Sequence, residues 1–188
     1  MLKKTLIIGI VLFLSLILLA PAYAQKTKIG YVNTQKILTE YKEALDAQKK
    51  IDELNSQWEK EGLEMQKEWE KQRDLFDSQS LLLSESKKAE KAKEIQQLYS
   101  KIQQFQRDKW APGQGEIYKK EKEFMNPVYE KIFAVVTKIG EDEDFSYIFD
   151  STDGNILYAN DKQPDLTERV LEELNKSLAV EKKDKKDN

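Results

Sequence analysis

The stretch IDELNSQWEKEGLEMQKEWEKQRDLFDSQ, residues 51–79, decides the fold of this chain. Positions three or four apart form one stripe, consisting of Ile51, Leu54, Trp58, Gly62, Met65, Trp69, Gln72 and Phe76. This spacing predicts the seam of a coiled coil, in which one helix packs lengthwise on another. An extra step of four between Trp58 and Gly62 predicts a stutter that locally unwinds the supercoil.

The helix that carries this seam extends well beyond it. From Gln35 to Gln79 there is no Pro, and Gly62 is the only Gly. About 45 residues give roughly 65 Å of helix. Residues 78–84 then enclose three consecutive leucines, Leu81, Leu82 and Leu83, and we expect the tip of a hairpin there, with Ser84 capping the next helix. The leucines either plug the end of the hairpin or stay exposed as a binding surface.

A return helix is predicted from about Glu85, with a second seam of Ile95, Leu98, Ile102 and Phe105. The sequence Ala-Pro-Gly-Gln-Gly at 111–115 then interrupts it. Pro and Gly inside a helix cost about 3 and 1 kcal/mol relative to Ala. We therefore predict a kink near 111–115, with Pro112, Gly113 and Gly115 as a hinge. The helix resumes near Glu116 and is bent again by Pro127.

Both ends of the hairpin run into β-forming segments. Residues 28–33 and 145–150 read as strands, Thr34 as a helix cap, and Asp153-Gly154 as a hairpin turn leading to a third strand at 155–160. A final helix opens near Asp165. Three strands from opposite ends of the chain would form a small body with exposed edges, which oligomerisation would cover. The residues predicted to build that oligomeric body are Ile29, Tyr31, Val32, Phe145, Tyr147, Phe149, Ile156, Leu157 and Tyr158.

The first 24 residues are typical of a secretory signal peptide. Lys3 and Lys4 precede an apolar run from Leu6 to Leu19, and Ala22-Tyr23-Ala24 supplies a cleavage site before Gln25. The run is shorter than the roughly 20 residues that span a membrane. The predicted division of the chain is a signal at 1–24, a strand segment at 25–33, the helical hairpin at 34–140, a β-hairpin with a C-terminal helix at 141–178, and a charged, disordered tail at 179–188.

The amino-acid composition excludes several classes of function. The chain has no Cys and no His, which excludes thiol nucleophiles, Cys/His zinc sites and Ser-His-Asp triads. Without Lys3 and Lys4, 29 basic residues face 34 acidic ones, so the mature chain carries a net charge of −5, which disfavours nucleic acid. Paired carboxylates for a glycosidase or a calcium site near Asp150 are alternatives, but no pocket or EF-hand spacing supports them. We predict no enzyme, catalytic residue, metal or cofactor.

Large side chains on the hairpin are candidates for binding another protein. The seam residues either only join the two helices or also contact a partner, while Trp110 lies off the seam and is favoured as a contact. The candidate contact residues are Trp58, Met65, Trp69, Phe76, Leu81, Leu82, Leu83 and Trp110.

Several segments together resemble the Skp/OmpH family of periplasmic chaperones. They are Lys-Ile-Gly-Tyr-Val-Asn-Thr-Gln-Lys-Ile-Leu at 28–38, Asp-Phe-Ser-Tyr-Ile-Phe-Asp at 144–150, Gly-Asn-Ile-Leu-Tyr-Ala at 154–159 and Asp-Leu-Thr-Glu-Arg-Val-Leu at 165–171. Their order and spacing cover essentially the whole mature chain.

This resemblance implies a homotrimer whose β-barrel-like body carries three helical tentacles. It implies an ATP-independent holding chaperone in the periplasm that keeps unfolded outer-membrane β-barrel proteins from aggregating. Well-known members are strongly basic and this chain is not, so a weak membrane or lipopolysaccharide contact is the most that is expected. The alternative is a coiled-coil scaffold or adaptor of the cell envelope without chaperone activity.

Overall fold

The computed structural model describes residues 27–184. In chain order the elements are β1 (Ile29–Val32), α1 (Thr34–Glu40), α2 (Lys42–Gln79), a 3-10 turn (Ser80–Leu82), α3 (Glu85–Trp110), α4 (Glu116–Asp142), β2 (Tyr147–Asp150) and α5 (Thr167–Asp184). The predicted class, mostly helical with a long antiparallel hairpin and a small β part, is confirmed. Within the described range, no helix is long and apolar enough to cross a membrane.

The hairpin consists of α2 as one arm and of α3 followed by α4 as the other. Cross-arm contacts run in opposite directions along the chain: Trp58 meets Trp110, while Trp69, nearer the tip, meets Tyr99. The arms are therefore antiparallel. At the root of the hairpin α4 packs on the first turns of α2, because the small residues Ala44 and Ala47 let the helices approach closely.

The long first helix is not continuous, contrary to the sequence prediction. Tyr41 takes an extended conformation with ψ of 122° and separates α1 from α2. Its side chain is 1% exposed, and its hydroxyl donates to Glu43 Oε2 at 2.8 Å. The bend places the Tyr41 ring in the core, so tertiary burial, without any Pro or Gly, interrupts the helix.

The cap of α1 also differs from the prediction. Asn33, not Thr34, is the N-cap, and its side chain accepts a hydrogen bond from the Lys36 amide at 2.8 Å. The Thr34 hydroxyl instead contacts Asp150 and Thr152, 2.9 Å from the Thr152 hydroxyl. Asn and Thr are both common caps. Because the Thr34 hydroxyl is bonded to Asp150, Asn33 caps the helix.

The sheet described has two strands, where the sequence predicted three. β1 and β2 pair in parallel, with Ile29 opposite Tyr147 and Val32 opposite Asp150. The segment 155–160 forms no strand, and Asp153-Gly154 turns without starting a β-hairpin. Residues near Asp165 cover the other side of β1, since the Tyr31 amide donates to Pro164 O and the Leu166 amide to Tyr31 O. Both edges of β1 are thus occupied within the chain.

One hydrophobic core joins the two ends of the chain. Its buried members are Val32, Ile37, Tyr41, Ala44, Ala47, Val128, Ile132, Ile139, Leu166, Val170, Leu171 and Leu174. Gly30 fits β1 beneath this core, because a Cβ there would lie 2.9 Å from the Phe145 ring and 3.0 Å from Leu166. We call residues 27–51 and 124–178 the body.

An ionic contact fastens the outside of the body. Lys28 Nζ lies 3.3 Å from a Glu143 carboxylate oxygen and 3.9 Å from the centre of the Phe145 ring. Arg169 of α5 pairs with the same carboxylate. Glu143 therefore ties the start of the described chain to its last helix.

Candidate functional site

The tip of the hairpin presents leucines to solvent. Leu81 is 94% exposed and Leu82 87%, whereas Leu83 is half-buried. Ser84 caps α3 as expected, accepting a hydrogen bond from the Lys87 amide. The leucines do not plug the end of the hairpin, so the tip is an exposed apolar surface of the kind that binds other molecules.

Below the tip, the seam between α2 and α3 is only partly covered. We call residues 59–101 the distal arm. None of its side chains is buried, although Met65, Trp69, Phe76, Ile95 and Leu98 are half-buried at the seam. Leu63, Leu75 and Tyr99 are exposed on its surface. The apolar surface of the arm is therefore partly accessible to a partner along its whole length.

Three aromatic residues mark the lower end of the distal arm. The rings of Trp58 and Trp110 meet edge to face at 6.2 Å, and Phe105 meets Trp110 at 5.9 Å. The Trp110 indole N–H donates to Asn55 Oδ1 at 2.7 Å, and Lys109 Nζ lies 4.3 Å from the centre of the Trp58 ring. We call Asn55, Trp58, Phe105, Lys109 and Trp110 the aromatic junction.

Two of the candidate contact residues lie in the aromatic junction. Trp58 is buried, and Trp110 is half-buried with its N–H already paired. Trp110 therefore joins the two arms in this structure, and its contact with a partner stays a prediction.

The return arm breaks directly after this junction, on the side of the root. α3 ends at Trp110 and α4 begins at Glu116, and between them the amides of Gln114 and Gly115 donate to Ala111 O. Gly113 has φ of +69°, the left-handed region that favours glycine. A Cβ on Gly115 would lie 2.6 Å from Lys109 O, so this position also requires glycine. Lys109 and Glu116 pair across the turn.

The body leaves a second apolar surface open. Tyr147 and Phe149 of β2 stack at 5.9 Å and are exposed, as is Phe133 of α4. In the following loop Leu157 is 96% exposed and Tyr158 83%, while Ile156 is half-buried. Of the other predicted body residues, Val32 is buried and Ile29, Tyr31 and Phe145 are half-buried.

The sequence did not indicate the groove at the root of the hairpin. It has a volume of about 640 Å³ and lies between the α1–α2 bend and α4, with Leu38, Leu45 and Met125 among its lining residues. It depends on the bend at Tyr41, which residue spacing does not reveal.

Asp150 organises the polar end of the sheet. Its carboxylate accepts hydrogen bonds from the Thr152 amide at 3.0 Å and from the Thr152 hydroxyl at 2.7 Å, besides its contacts with Thr34. Partial burial alone would raise the pKa of Asp150, but these hydrogen bonds outweigh it and hold the pKa below its ordinary value. Across residues 27–184, no three acidic side chains are grouped to hold a metal ion.

Comparison with known proteins identifies the family. The family model for OmpH-like outer membrane proteins matches residues 28–174 of this chain. The chain belongs to the OmpH-like family. A search of the curated proteins found no match.

A solved structure supports the fold of this OmpH-like chain. It is the crystal structure of an OmpH-like protein of Caulobacter crescentus CB15, itself a candidate outer membrane chaperone. The two share 13% sequence identity with a TM-score of 0.67 over 79% of this chain and 83% of the other. At that identity the likeness concerns the fold, which carries the same long helical hairpin on a small β part.

Proposed function

We propose that the protein is an ATP-independent holding chaperone of the periplasm. It would bind unfolded outer-membrane β-barrel proteins and prevent their aggregation on the way to the outer membrane. Membership of the OmpH-like family supports this proposal. The observation that carries it is the exposed apolar surface at the tip, Leu81 and Leu82, continued along the distal arm by half-buried Met65, Trp69 and Phe76.

This surface suits an unfolded client better than a defined ligand. An unfolded chain offers apolar segments in no fixed order, so many weak contacts serve better than one shaped pocket. Met and Trp side chains adapt to different partners. The charged outer faces of the arms would keep the complex in solution. No step of this activity needs catalysis or a cofactor.

Dilution of a urea-denatured outer-membrane β-barrel protein into buffer tests the proposal. The mature chain should suppress light scattering and form a soluble complex of defined mass. A chain that neither suppresses scattering nor forms a complex contradicts the proposal, and an envelope scaffold would behave in that way. L81S/L82S should raise several-fold the chaperone concentration needed, whereas L81M/L82M, which keeps the tip apolar, should not.

We also propose that three copies assemble through the body. The outer edge of β2 and the exposed Tyr147, Phe149, Leu157 and Tyr158 support assembly, because such apolar surface is normally covered. Analytical ultracentrifugation should give a trimer for the mature chain and a monomer for L157S/Y158S.

Two further parts of the proposal concern export and movement. The cleavage site between Ala24 and Gln25 lies outside the described residues, and mass spectrometry of the exported chain should find Gln25 at its start. The turn at Pro112, Gly113 and Gly115 would act as a joint on which the distal arm swings. Amide hydrogen exchange across 109–117 as slow as across residues 128–139 of α4 would contradict that joint.

A further inference from the structure

The two helices of the distal arm are held together by few kinds of contact. Each side-chain hydrogen bond or ion pair described between residues 59 and 101 lies within one helix, as in Gln66–Glu70, Lys87–Glu90 and Lys91–Glu94, or joins a helix to its own capping serine. Among these described contacts, none crosses from α2 to α3 on the tip side of the Trp110–Asn55 pair. Pairs three or four residues apart stabilise each helix by itself. Each helix can therefore persist when the other moves away.

One layer of this seam contains a polar side chain. Gln72 occupies a seam position, and its amide turns to Glu68 of its own helix at 2.7 Å. Gln72 lies three residues beyond Trp69, and Ile95 lies four residues before Tyr99. Because Trp69 meets Tyr99 in an antiparallel pair, Gln72 and Ile95 share a layer of the seam, and this layer lacks a pair of apolar side chains. Little apolar surface is thus lost when the layer opens.

The indole N–H of Trp69 gives a second, independent reason to expect that the seam opens. Its ring lies 5.5 Å from Tyr99, yet its indole N–H is shielded from solvent and has no hydrogen-bond partner. Trp110, by contrast, gives its N–H to Asn55. A buried donor without an acceptor disfavours the closed seam and favours any arrangement that supplies an acceptor.

The connections at both ends of the distal arm permit opening without unfolding. At the tip, a 3-10 turn held by the Leu83 amide to Ser80 O at 3.3 Å links the helices. Residues 80–84, when extended, reach about 17 Å, more than the roughly 10 Å between packed helices. At the other end the aromatic junction limits how far the opening can spread.

We infer that α2 and α3 part along the distal arm into a groove that takes the apolar side chains of an unfolded segment. The Trp69 N–H then donates to a main-chain carbonyl of that segment, which an unfolded chain offers at every residue. This inference rests on the proposed chaperone function and assigns its binding surface to the inner faces of one hairpin. Met65, Trp69, Phe76, Ile95 and Leu98 become contacts with the client as they lose contact with each other.

A reversible link across the seam tests this opening. Since the chain has no Cys, Q72C/I95C supplies two unique thiols that a short, reducible bis-thiol reagent can join. The matched control, K60C/E64C, places the same link one turn apart on the exposed face of α2. The linked seam should need at least about tenfold more chaperone to hold denatured barrel protein, and reduction should restore wild-type holding. The control should be unaffected.

The outcomes of this experiment distinguish failure of the groove from failure of the chaperone function. A linked seam that holds the client as well as the reduced protein overturns the groove but leaves the chaperone function standing. An unmodified chain that holds no client overturns both. If Q72C/I95C does not fold, Q79C/K88C places the link one heptad nearer the tip. Spin labels on the same cysteines give a second readout: their separation should grow by several ångströms when client is added, and an unchanged separation overturns the groove.

Discussion

The body and the distal arm use the same helix, α2, in opposite ways. Near the root, Ala44, Ala47 and Ile51 are buried against α4 and its neighbours. Beyond Trp58, no side chain of α2 is buried, although larger apolar residues continue at the same spacing. Periodicity thus creates a stripe in both regions, but burial depends on what faces it. In the body, several elements converge on the stripe; in the distal arm, a single helix does.

The difference extends to the facing helices. α4 brings Val128, Ile132 and Ile139 into the core, and α5 adds Val170 and Leu174. α3 contributes Ile102 as its one buried residue and is otherwise rich in Gln, Lys and Glu. The body is therefore built for stability, while the distal arm retains apolar surface that a partner can reach.

Matched leucine truncations should separate the two regions most strongly. Leu174→Ala removes a side chain that is 1% exposed from the body core and should cost about 3–4 kcal/mol of unfolding free energy. Leu98→Ala removes a half-buried side chain from the distal seam and should cost about 1 kcal/mol. Urea unfolding of both variants measures the difference. Equal costs would show that the distal seam is packed as tightly as the body.

Alanine at the two glycines between the regions should have unequal effects. Gly115→Ala places a Cβ 2.6 Å from Lys109 O and should cost about 2–3 kcal/mol. Gly113→Ala meets nothing within 4 Å, and only its φ of +69° opposes it, at about 1 kcal/mol. Thermal unfolding gives the ranking. The reverse order would contradict the described turn.

Two tryptophan substitutions compare the stability of the aromatic junction with that of the distal arm. Trp110→Phe keeps a ring in the aromatic junction but loses the bond to Asn55, and should cost about 1 kcal/mol. Trp69→Phe removes an N–H that has no partner and should change stability by less than about 0.5 kcal/mol in either direction. Urea unfolding of the two variants checks both values. A clear loss on Trp69→Phe would mean that its N–H is paired in solution.

The smallest expected effect is a loss of unfolding free energy in acid, caused by Asp150 at the edge of the body. Because the pKa of Asp150 lies below its ordinary value in the folded chain, its hydrogen bonds contribute stability above the unfolded pKa. That contribution is lost as the pH falls through the folded pKa, below about pH 4. Asp150→Asn should flatten this part of the stability profile. A stability profile of Asp150→Asn that still falls as steeply below about pH 4 would contradict this role of the carboxylate.

Residue spacing predicted much of this fold from the sequence. It located the hairpin, its seam, the tip and the helix interruption, because Pro, Gly and apolar periodicity act locally. The bend at Tyr41 and the choice of Asn33 as cap depend on the core and on Asp150, which no local pattern reports. The third strand was wrong for a related reason: residues 155–160 suit a strand, but strand formation needs a neighbour, and residues 164–166 already cover β1.

The sequence predicted which residues form the candidate site but not whether their side chains are exposed. The sequence named the seam aromatics and the tip leucines, yet left open whether they were covered. Leu81 and Leu82 proved exposed in the 3-10 turn that links the two helices. Trp110 is half-buried in the aromatic junction and bonds to Asn55 of the opposite arm, a pairing that residue spacing does not reveal, and its contact with a partner stays a prediction.

We expect the body to stay closed while the distal arm opens between its helices. Native-state amide hydrogen exchange of the mature chain compares the two regions in one experiment. Exchange in residues 91–101 of α3 should be at least about a hundredfold faster than in residues 128–139 of α4, and adding client should slow the former more than the latter. Equal protection of the two segments, unchanged by client, would contradict the account.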